Sequence, residues 1–473
     1  MSSEKTINVN SDVSIDITNT NSDNPLGYER ISKLLYKFSI PSIIGMTINA
    51  LYNVVDRIFI GNSPDLGTNG LAAITICFPA MIIILSVGIL LGQGGATFFA
   101  ISLGKGEDEK ARHILGNTLS MTIIFSAIIS LIGILFLDKL LVLFGASNTI
   151  MPYADQYMKI ILIGAIFQVV GMGLNNLMRS DGKPKLAMAT MFIGAGINVI
   201  LDPLLIYGLH MGMRGAAIAT ITSQFISMIW CISIFTKKSA KYRIEKKYMK
   251  INLELCKKIL TLGMPGFILQ LVNSSLALLL NSSILKYGGD IAVSGMGIIN
   301  TIQTLLLLPV IGLNQGLQPI VSFNYGAKKY TRVKKAVLLT IIVAVIISTI
   351  GFFISRFVPH LLVAMFNRDE HLMTFTVSAI QKWFLLIPLS GFQIVASNFF
   401  QAIGKPKKAL MLTMTRQVIV LMPSIIILSR MIGMNGILYS APIADFVSSV
   451  VTAFFFFTFI KNTLSSKEEI KIQ

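Results

Sequence analysis

Three aspartates, Asp56, Asp202 and Asp445, stand deep inside long apolar runs of this 473-residue chain, where an ionised carboxylate needs a partner or a function. Asp56 shares a run with Asn49, Tyr52 and Asn53. The spacing i, i+3, i+4, i+7 places all four on one face of a helix. Asn198 and Asp202 repeat the i, i+4 spacing in a second run, and Thr220 with Gln224 does so in a third. Their oxygens are the ligands a hard cation such as sodium prefers. A carboxylate held away from water can instead take and release a proton at working pH. The competing reading makes these residues interhelical hydrogen-bond partners, and Arg57 offers Asp56 a further role as an interface anchor. Pro203 removes a backbone donor and crowds the carbonyl of Val199, which either frees that oxygen as a ligand or simply bends the helix.

Asp445 has a different expected partner. Arg416 is the one arginine well inside a neighbouring apolar run, and a buried ion pair would account for both charges. Direct contact with a substrate is the alternative. Among the uncharged polar residues, Gln168, Asn175, Gln270, Asn273, Gln303 and Gln393 are candidates to line a cavity, as are Asn49, Tyr52, Asn53 and Gln224; any one of them can equally be packing. The 23 methionines and 29 phenylalanines suit a compliant apolar cavity.

Enzymatic chemistry finds little to work with. No Gly-Lys pair precedes Ser or Thr in a phosphate-binding loop, so ATP is not the expected energy source. The four histidines lie at connections or run ends without a metalloprotease pattern, and Cys77, Cys231 and Cys256 lack metal-ligand spacing. The expectation is a protein that is not an enzyme, carries no cofactor, and uses a sodium ion or a proton as its only inorganic partner.

The elements that hold these residues are membrane spans. The chain is 53% hydrophobic and 13% charged, where a soluble domain carries roughly a quarter charged residues. Runs of about 20 apolar residues, each long enough to cross a hydrocarbon core, predict twelve helices, at 34–60, 71–99, 115–137, 153–178, 186–207, 213–236, 257–285, 291–322, 336–357, 374–402, 409–429 and 435–460. Of the 40 Lys and Arg residues, 29 fall on the tails and even-numbered connections and 6 on the odd-numbered ones, counting those at span ends. By the positive-inside rule both termini face the cytoplasm. The net charge of +18 is therefore a topology signal at the surface of an inner (plasma) membrane, not a nucleic-acid footprint. Residues 1–28, rich in Ser, Asn, Asp and Thr and lacking an apolar core, read as a disordered cytoplasmic tail rather than a signal peptide. The expected order continues with a six-helix lobe over 29–236, a basic cytoplasmic linker over 237–256, a second six-helix lobe over 257–461, and a cytoplasmic tail over 462–473.

The two lobes are copies. At an offset of 220 to 224 residues, Pro41 and Asn49 match Pro265 and Asn273, Gly92-Gln93-Gly94 matches Asn314-Gln315-Gly316, and Gly104 matches Gly326. Gly182-Lys183-Pro184-Lys185 recurs as Gly404-Lys405-Pro406-Lys407, Pro203 as Pro423, and Gly212-Met213-Arg214-Gly215 as Gly433-Met434-Asn435-Gly436. Six helices per copy is an even number, so the copies share one orientation about a pseudo-two-fold along the membrane normal. The fold class is all-α and polytopic, with a central cleft whose opening can change sides.

Several of these residues together resemble the multidrug and toxic compound extrusion (MATE) family over about residues 30–462. They are Pro41, Tyr52-Asn53-Val54-Val55-Asp56, Phe59-Ile60-Gly61, Gly92-Gln93-Gly94, Arg179-Ser180-Asp181-Gly182-Lys183-Pro184, and Asn198 to Asp202-Pro203. The resemblance implies two six-helix lobes around a drug cavity, and export driven by sodium or protons. It also implies a cation site made by Asp56, Asn198, Asp202 and Thr220, small organic cations or other amphipathic drugs as substrates, and a monomer in the bilayer. One branch of that family has acidic residues in helices 7 and 10; here Asn273, Ser390, Gly391 and Gln393 occupy those regions. The chain thus looks like the DinF/MepA-like branch, in which coupling belongs to the N-terminal lobe. A flippase for lipid-linked sugars or an exporter of other endogenous metabolites is the rival within the superfamily, and a channel the rival outside it.

Overall fold

The computed structural model describes residues 24–366 and 369–465. Its helices, in chain order, are α1 (Ile31–Gly61), α2 (Gly67–Gly104), α3 (Asp108–Leu135), the short α4 (Leu137–Leu143), α5 (Met151–Ser180), α6 (Pro184–Pro203) and α7 (Gly212–Thr236). After a linker come α8 (Leu253–Gly326), α9 (Tyr330–Phe357), the short α10 (Pro359–Ala364), α11 (Glu370–Trp383), α12 (Ile387–Ala402), α13 (Pro406–Met414), α14 (Met422–Ile432) and α15 (Met434–Phe459). Two wide turns of π-helix interrupt this order, at Leu204–Gly208 and Thr415–Leu421. No strand occurs among the described residues.

Ten helices are long and apolar enough to cross a bilayer alone, and α11 with α12, meeting at 51°, supply an eleventh crossing. The twelfth is hidden in α8. Its 74 residues would run about 110 Å as one rod, more than three hydrocarbon thicknesses. The rod breaks at Gly289, where φ 66° and ψ −167° lie outside the range of a helical L-residue. The seventh and eighth spans are thus the two arms of α8. The predicted tenth span is bent because Pro388, in the first turn of α12, cannot extend a helix arriving from α11.

The repeat is visible in local geometry. Gly182 and Gly404 both take a positive φ, 83° and 75°, in the turns that lead to Pro184 and Pro406 at the heads of α6 and α13.

The lobes meet at one end of the bundle. A Cβ on Gly263 would lie 1.7 Å from the Leu90 carbonyl oxygen, and one on Gly104 would lie 1.9 Å from that of Phe323. Side chains cross the same seam. Ser39 donates to the Leu313 carbonyl at 3.4 Å, Gln318 to Thr97 Oγ1 at 2.6 Å, Gln401 to Gln93 Oε1 at 3.3 Å, and Arg179 to Gln315 Oε1. One hydrophobic core runs through the first lobe and across this seam, from Leu26 to Ile460. Towards the other end the second lobe has a separate core, built around Leu280, Ile299, Trp383, Phe384 and Ile437. The backbone approaches and side-chain bonds between the halves gather at the end that carries this seam.

The basic linker is fastened to the first lobe. Asn117 of α3 donates to the carbonyls of Tyr248 and Lys250, both at 3.3 Å, and accepts from the Asn252 amide at 2.8 Å. Tyr242 donates to Asp108 at 2.6 Å and Tyr248 to Glu109 at 3.2 Å. The acidic first turn of α3 thus gives the linker its partners, and the Tyr242 hydroxyl pKa rises through burial and that carboxylate.

Of the disordered tail expected over 1–28, residues 1–23 lie outside the described residues. The remainder departs from the expectation. Pro25–Gly27 form a 3-10 turn capped by the Asn24 side chain, with Leu26 fully buried. The turn is held because Asn324 and Arg332 of the second lobe donate to the Leu26 carbonyl, at 2.9 and 3.2 Å. In the C-terminal tail, residues beyond 465 lie outside the described residues.

Candidate cation site and central cleft

Asp56 lies near the end of α1 and Asp202 at the end of α6, and the local sequence explains how they meet. Pro203 closes α6, and the chain continues as a wide π-turn over Leu204–Gly208. That turn carries Tyr207, whose hydroxyl donates to the Phe59 carbonyl at 2.5 Å while its ring stands edge-on to Phe59 at 6.2 Å. The two helix ends are pinned together by this pair. One turn further in, the Asp56 and Asp202 carboxyls come within hydrogen-bonding reach of each other.

The site is closed to solvent. Asp202 is 0% exposed, Asn198 2%, Thr220 8% and Asp56 9%. Asn198 donates its amide to Asp202 Oδ1 at 3.3 Å. Three buried oxygens, Asp56 Oδ1, Asn198 Oδ1 and Asp202 Oδ2, are left without a hydrogen-bond partner. Tyr52 and Tyr157 stand within the field of both carboxylates. Two ionised carboxylates about 4 Å apart repel by about 4 kcal/mol at an effective dielectric of 20. A shared proton or a cation would relieve that repulsion, and the unpartnered oxygens are suited to either.

Thr220 stands apart from the pair in its bonding. Its hydroxyl donates to the Ala216 carbonyl within α7 at 3.0 Å, and no hydrogen bond joins it to either aspartate among the described residues. Tyr157, on α5, was missed by sequence reasoning. A tyrosine near the start of a span reads as an interface residue, yet this one is 1% exposed and lies within electrostatic range of both carboxylates.

The other polar candidates divide. Asn49 and Asn53 are exposed on α1, with the Asn53 amide donating to Asn49 Oδ1 at 3.2 Å. Asn273, the repeat counterpart of Asn49, is exposed on the first arm of α8 and accepts from Gln417 at 3.2 Å. Gln168, Gln224, Gln270 and Gln303 are half-buried, and Gln303 accepts from the Trp383 indole at 3.1 Å. Asn175 and Gln393 do not line an open cavity. Asn175, 5% exposed, donates to the Ala187 carbonyl at 2.8 Å and so ties α5 to α6. Gln393, 4% exposed, bonds Ser397 and the Leu412 carbonyl at 3.3 and 3.4 Å. Both donate their amide nitrogens to a neighbouring helix, Asn175 to α6 and Gln393 to α13.

Arg416, in the second π-turn, donates through Nε to Asp445 Oδ1 at 2.7 Å, with side chains 15% and 4% exposed. Removing either charge strands the other in a low-dielectric setting at a cost of about 3–5 kcal/mol. Asp445→Asn or Arg416→Gln alone should therefore lower the melting temperature in detergent, and the double change should recover part of the loss. A stable single variant with altered substrate preference would contradict this structural role.

The MatE family model matches the chain twice, over residues 41–204 and 265–426. The chain belongs to the MATE family. Asp56 and Asp202 both fall in the first of the two matched segments. The chain is 26% identical over 435 residues to a multidrug export protein, MepA, of Staphylococcus haemolyticus (strain JCSC1435), covering 92% of this chain and 95% of that one. Its fold is similar to that of a MOP-superfamily transporter from Pyrococcus furiosus described as having a binding pocket of reversed polarity (TM-score 0.87, 26% identity, covering 94% and 98%). It is also similar to a multidrug resistance MATE-family transporter in an outward-facing conformation (TM-score 0.85, 26% identity, covering 95% and 98%). This MATE-family chain is thus a multi-pass membrane protein with two six-helix bundles.

Proposed function

We propose that the protein is a secondary active exporter of the plasma membrane that exchanges amphipathic, often cationic, organic compounds for sodium ions or protons. The observation that carries this reading is the buried Asp56–Asp202 pair with its unpartnered oxygens, within one of two lobes that are held together by close backbone approach at one end. The multidrug export named for MepA and the multidrug resistance named for the outward-facing relative support the choice of substrate class. The closed end bears the basic linker and Lys328, Lys329 and Arg332, which supports its assignment to the cytoplasm.

The mechanism follows from differential affinity. A cation that neutralises the carboxylate pair removes the repulsion between α1 and α6, so it favours the arrangement in which they touch. Substrate favours the other arrangement, and exchange of the two drives alternate opening. One cation moving down 100 mV supplies about 2.3 kcal/mol. Efflux of a fluorescent organic cation from proteoliposomes, with sodium and pH gradients imposed separately, tests the reading. Uphill efflux should follow at least one gradient; a conductance persisting without exchange would make the protein a channel, and movement of a labelled lipid-linked sugar in place of the drug would make it a flippase.

Topology has its own test. In a cysteine-free background, single cysteines at Ser239 and Ala327 should be shielded from an impermeant thiol reagent outside intact cells, and one at Asn62 should react. Labelling at Ser239 from outside would reverse the assigned orientation.

A further inference from the structure

The closed end contains an open basin between the head of α1 and the head of α9, lined by Tyr28, Arg30, Ser32, Thr331, Arg332 and Lys335. Its walls come from both lobes. Three of the lining residues are cations, and no carboxylate lies within 4 Å of any of them among the described residues. The adjacent acid, Glu29, is engaged by Lys37 at 3.4 Å. Arg332 is held in place by carbonyl groups alone, donating to Asn324 Oδ1 at 2.9 Å and to the Glu29 carbonyl at 2.7 Å, so its charge is fixed but not neutralised.

The surfaces leading away from the basin are apolar. On α1, Tyr36, Ile40 and Ile44 are exposed at successive i+4 positions, and on α9 Ile342, Ile346 and Ile350 are exposed at the same spacing. Each stripe begins one to two turns from the cations and runs along a helix that crosses the bilayer. A concentrated positive charge at the head of two lipid-facing stripes matches a molecule with an anionic head and hydrocarbon tails.

We propose that this basin binds the headgroup of an anionic phospholipid, with the acyl chains along the exposed stripes of α1 and α9. Arg30, Arg332 and Lys335 contact the phosphate, and the bound lipid bridges the two lobes at their closed end. Only the choice of leaflet rests on the cytoplasmic assignment made above.

The test uses full-length, delipidated protein in detergent, titrated with phosphatidylglycerol, phosphatidylcholine or inorganic phosphate and read by native mass spectrometry and melting temperature. Phosphatidylglycerol should be retained and should raise the melting temperature, while the other two do neither. Arg30 and Lys335 are exposed, and neither side chain makes a hydrogen bond or ion pair among the described residues, so Arg30→Gln/Lys335→Gln should fold normally. Its affinity for phosphatidylglycerol should fall by about 30-fold, and that of Lys335→Gln alone by about fivefold, at about 1 kcal/mol per basic group beside an anionic headgroup. Lys237→Gln/Lys238→Gln, which removes the same charge from the linker, should bind as wild type. Wild-type affinity in the basin variant, an equal loss in the linker variant, equal retention of phosphatidylcholine, or equal stabilisation by free phosphate would each overturn the proposal. Because no transport is measured, failure here leaves the export reading standing, and failed export leaves lipid binding measurable.

Discussion

Asp202→Asn should abolish concentrative efflux while leaving the fold intact. The substitution keeps the shape of the side chain and an oxygen to accept from Asn198, which now bonds Asp202 Oδ1 at 3.3 Å. It removes the charge that attracts a cation and the oxygen that takes a proton. For an uncharged substrate, a single cation falling through 100 mV sustains a substrate ratio of about 50 to 1; a cationic substrate needs a chemical gradient of the ion or a second ion to reach it. The variant should bring that ratio to about 1 in proteoliposomes, with substrate still binding. Asp56→Asn should act in the same direction, because a shared proton or bridging cation needs both carboxylates. Gln393→Ala, in the second lobe and bonded only to its neighbours, should keep coupled efflux. Wild-type accumulation by Asp202→Asn would place the coupling group elsewhere.

The second large effect is conformational. Gly263→Ala and Gly104→Ala should each prise open the closed end, because the new methyl group would sit 1.7 or 1.9 Å from a backbone carbonyl oxygen of the opposite lobe. A backbone carbonyl in a helix cannot swing aside as a long side chain can, so the lobes must part. Overpacking of this kind costs about 3 kcal/mol, enough to erase a 99 to 1 preference for the closed seam. Spin labels on the exposed residue pair Lys105 and Lys328, one on each lobe at that end, should report a longer separation in either variant. Gly297→Ala supplies the control, since nothing lies within 4 Å of its added carbon. Unchanged distances in the two seam variants would mean that the lobes are not held together by backbone approach.

These two effects differ in how far the sequence anticipates them. An aspartate in an apolar run is conspicuous because desolvation is severe wherever the run crosses the bilayer, so Asp56, Asp202 and Asp445 announce themselves singly. Gly104 and Gly326 stand out as repeat partners, but a repeat signals a shared need and not its nature. The need is the approach of helices from different lobes to within van der Waals distance of their backbones.

Composition and periodicity determined the twelve crossings, the two-copy order and the charge asymmetry, because bilayer thickness and backbone hydrogen bonding restrict a long apolar chain to spanning helices. They also set the candidates for chemistry. Tertiary structure alone decided which candidates meet. Asp56 and Asp202 are distant in sequence, and only the packing of α1 on α6, fixed by Pro203, the π-turn and Tyr207, brings their carboxyls together. Tyr157 joins them and Thr220 bonds elsewhere for the same reason, since side-chain partners across helices depend on rotation about the helix axis and on depth. Asn175 and Gln393 show the limit most clearly: one-dimensional spacing gives the face a residue occupies, and only the neighbouring helix determines whether that face meets a cleft or another backbone.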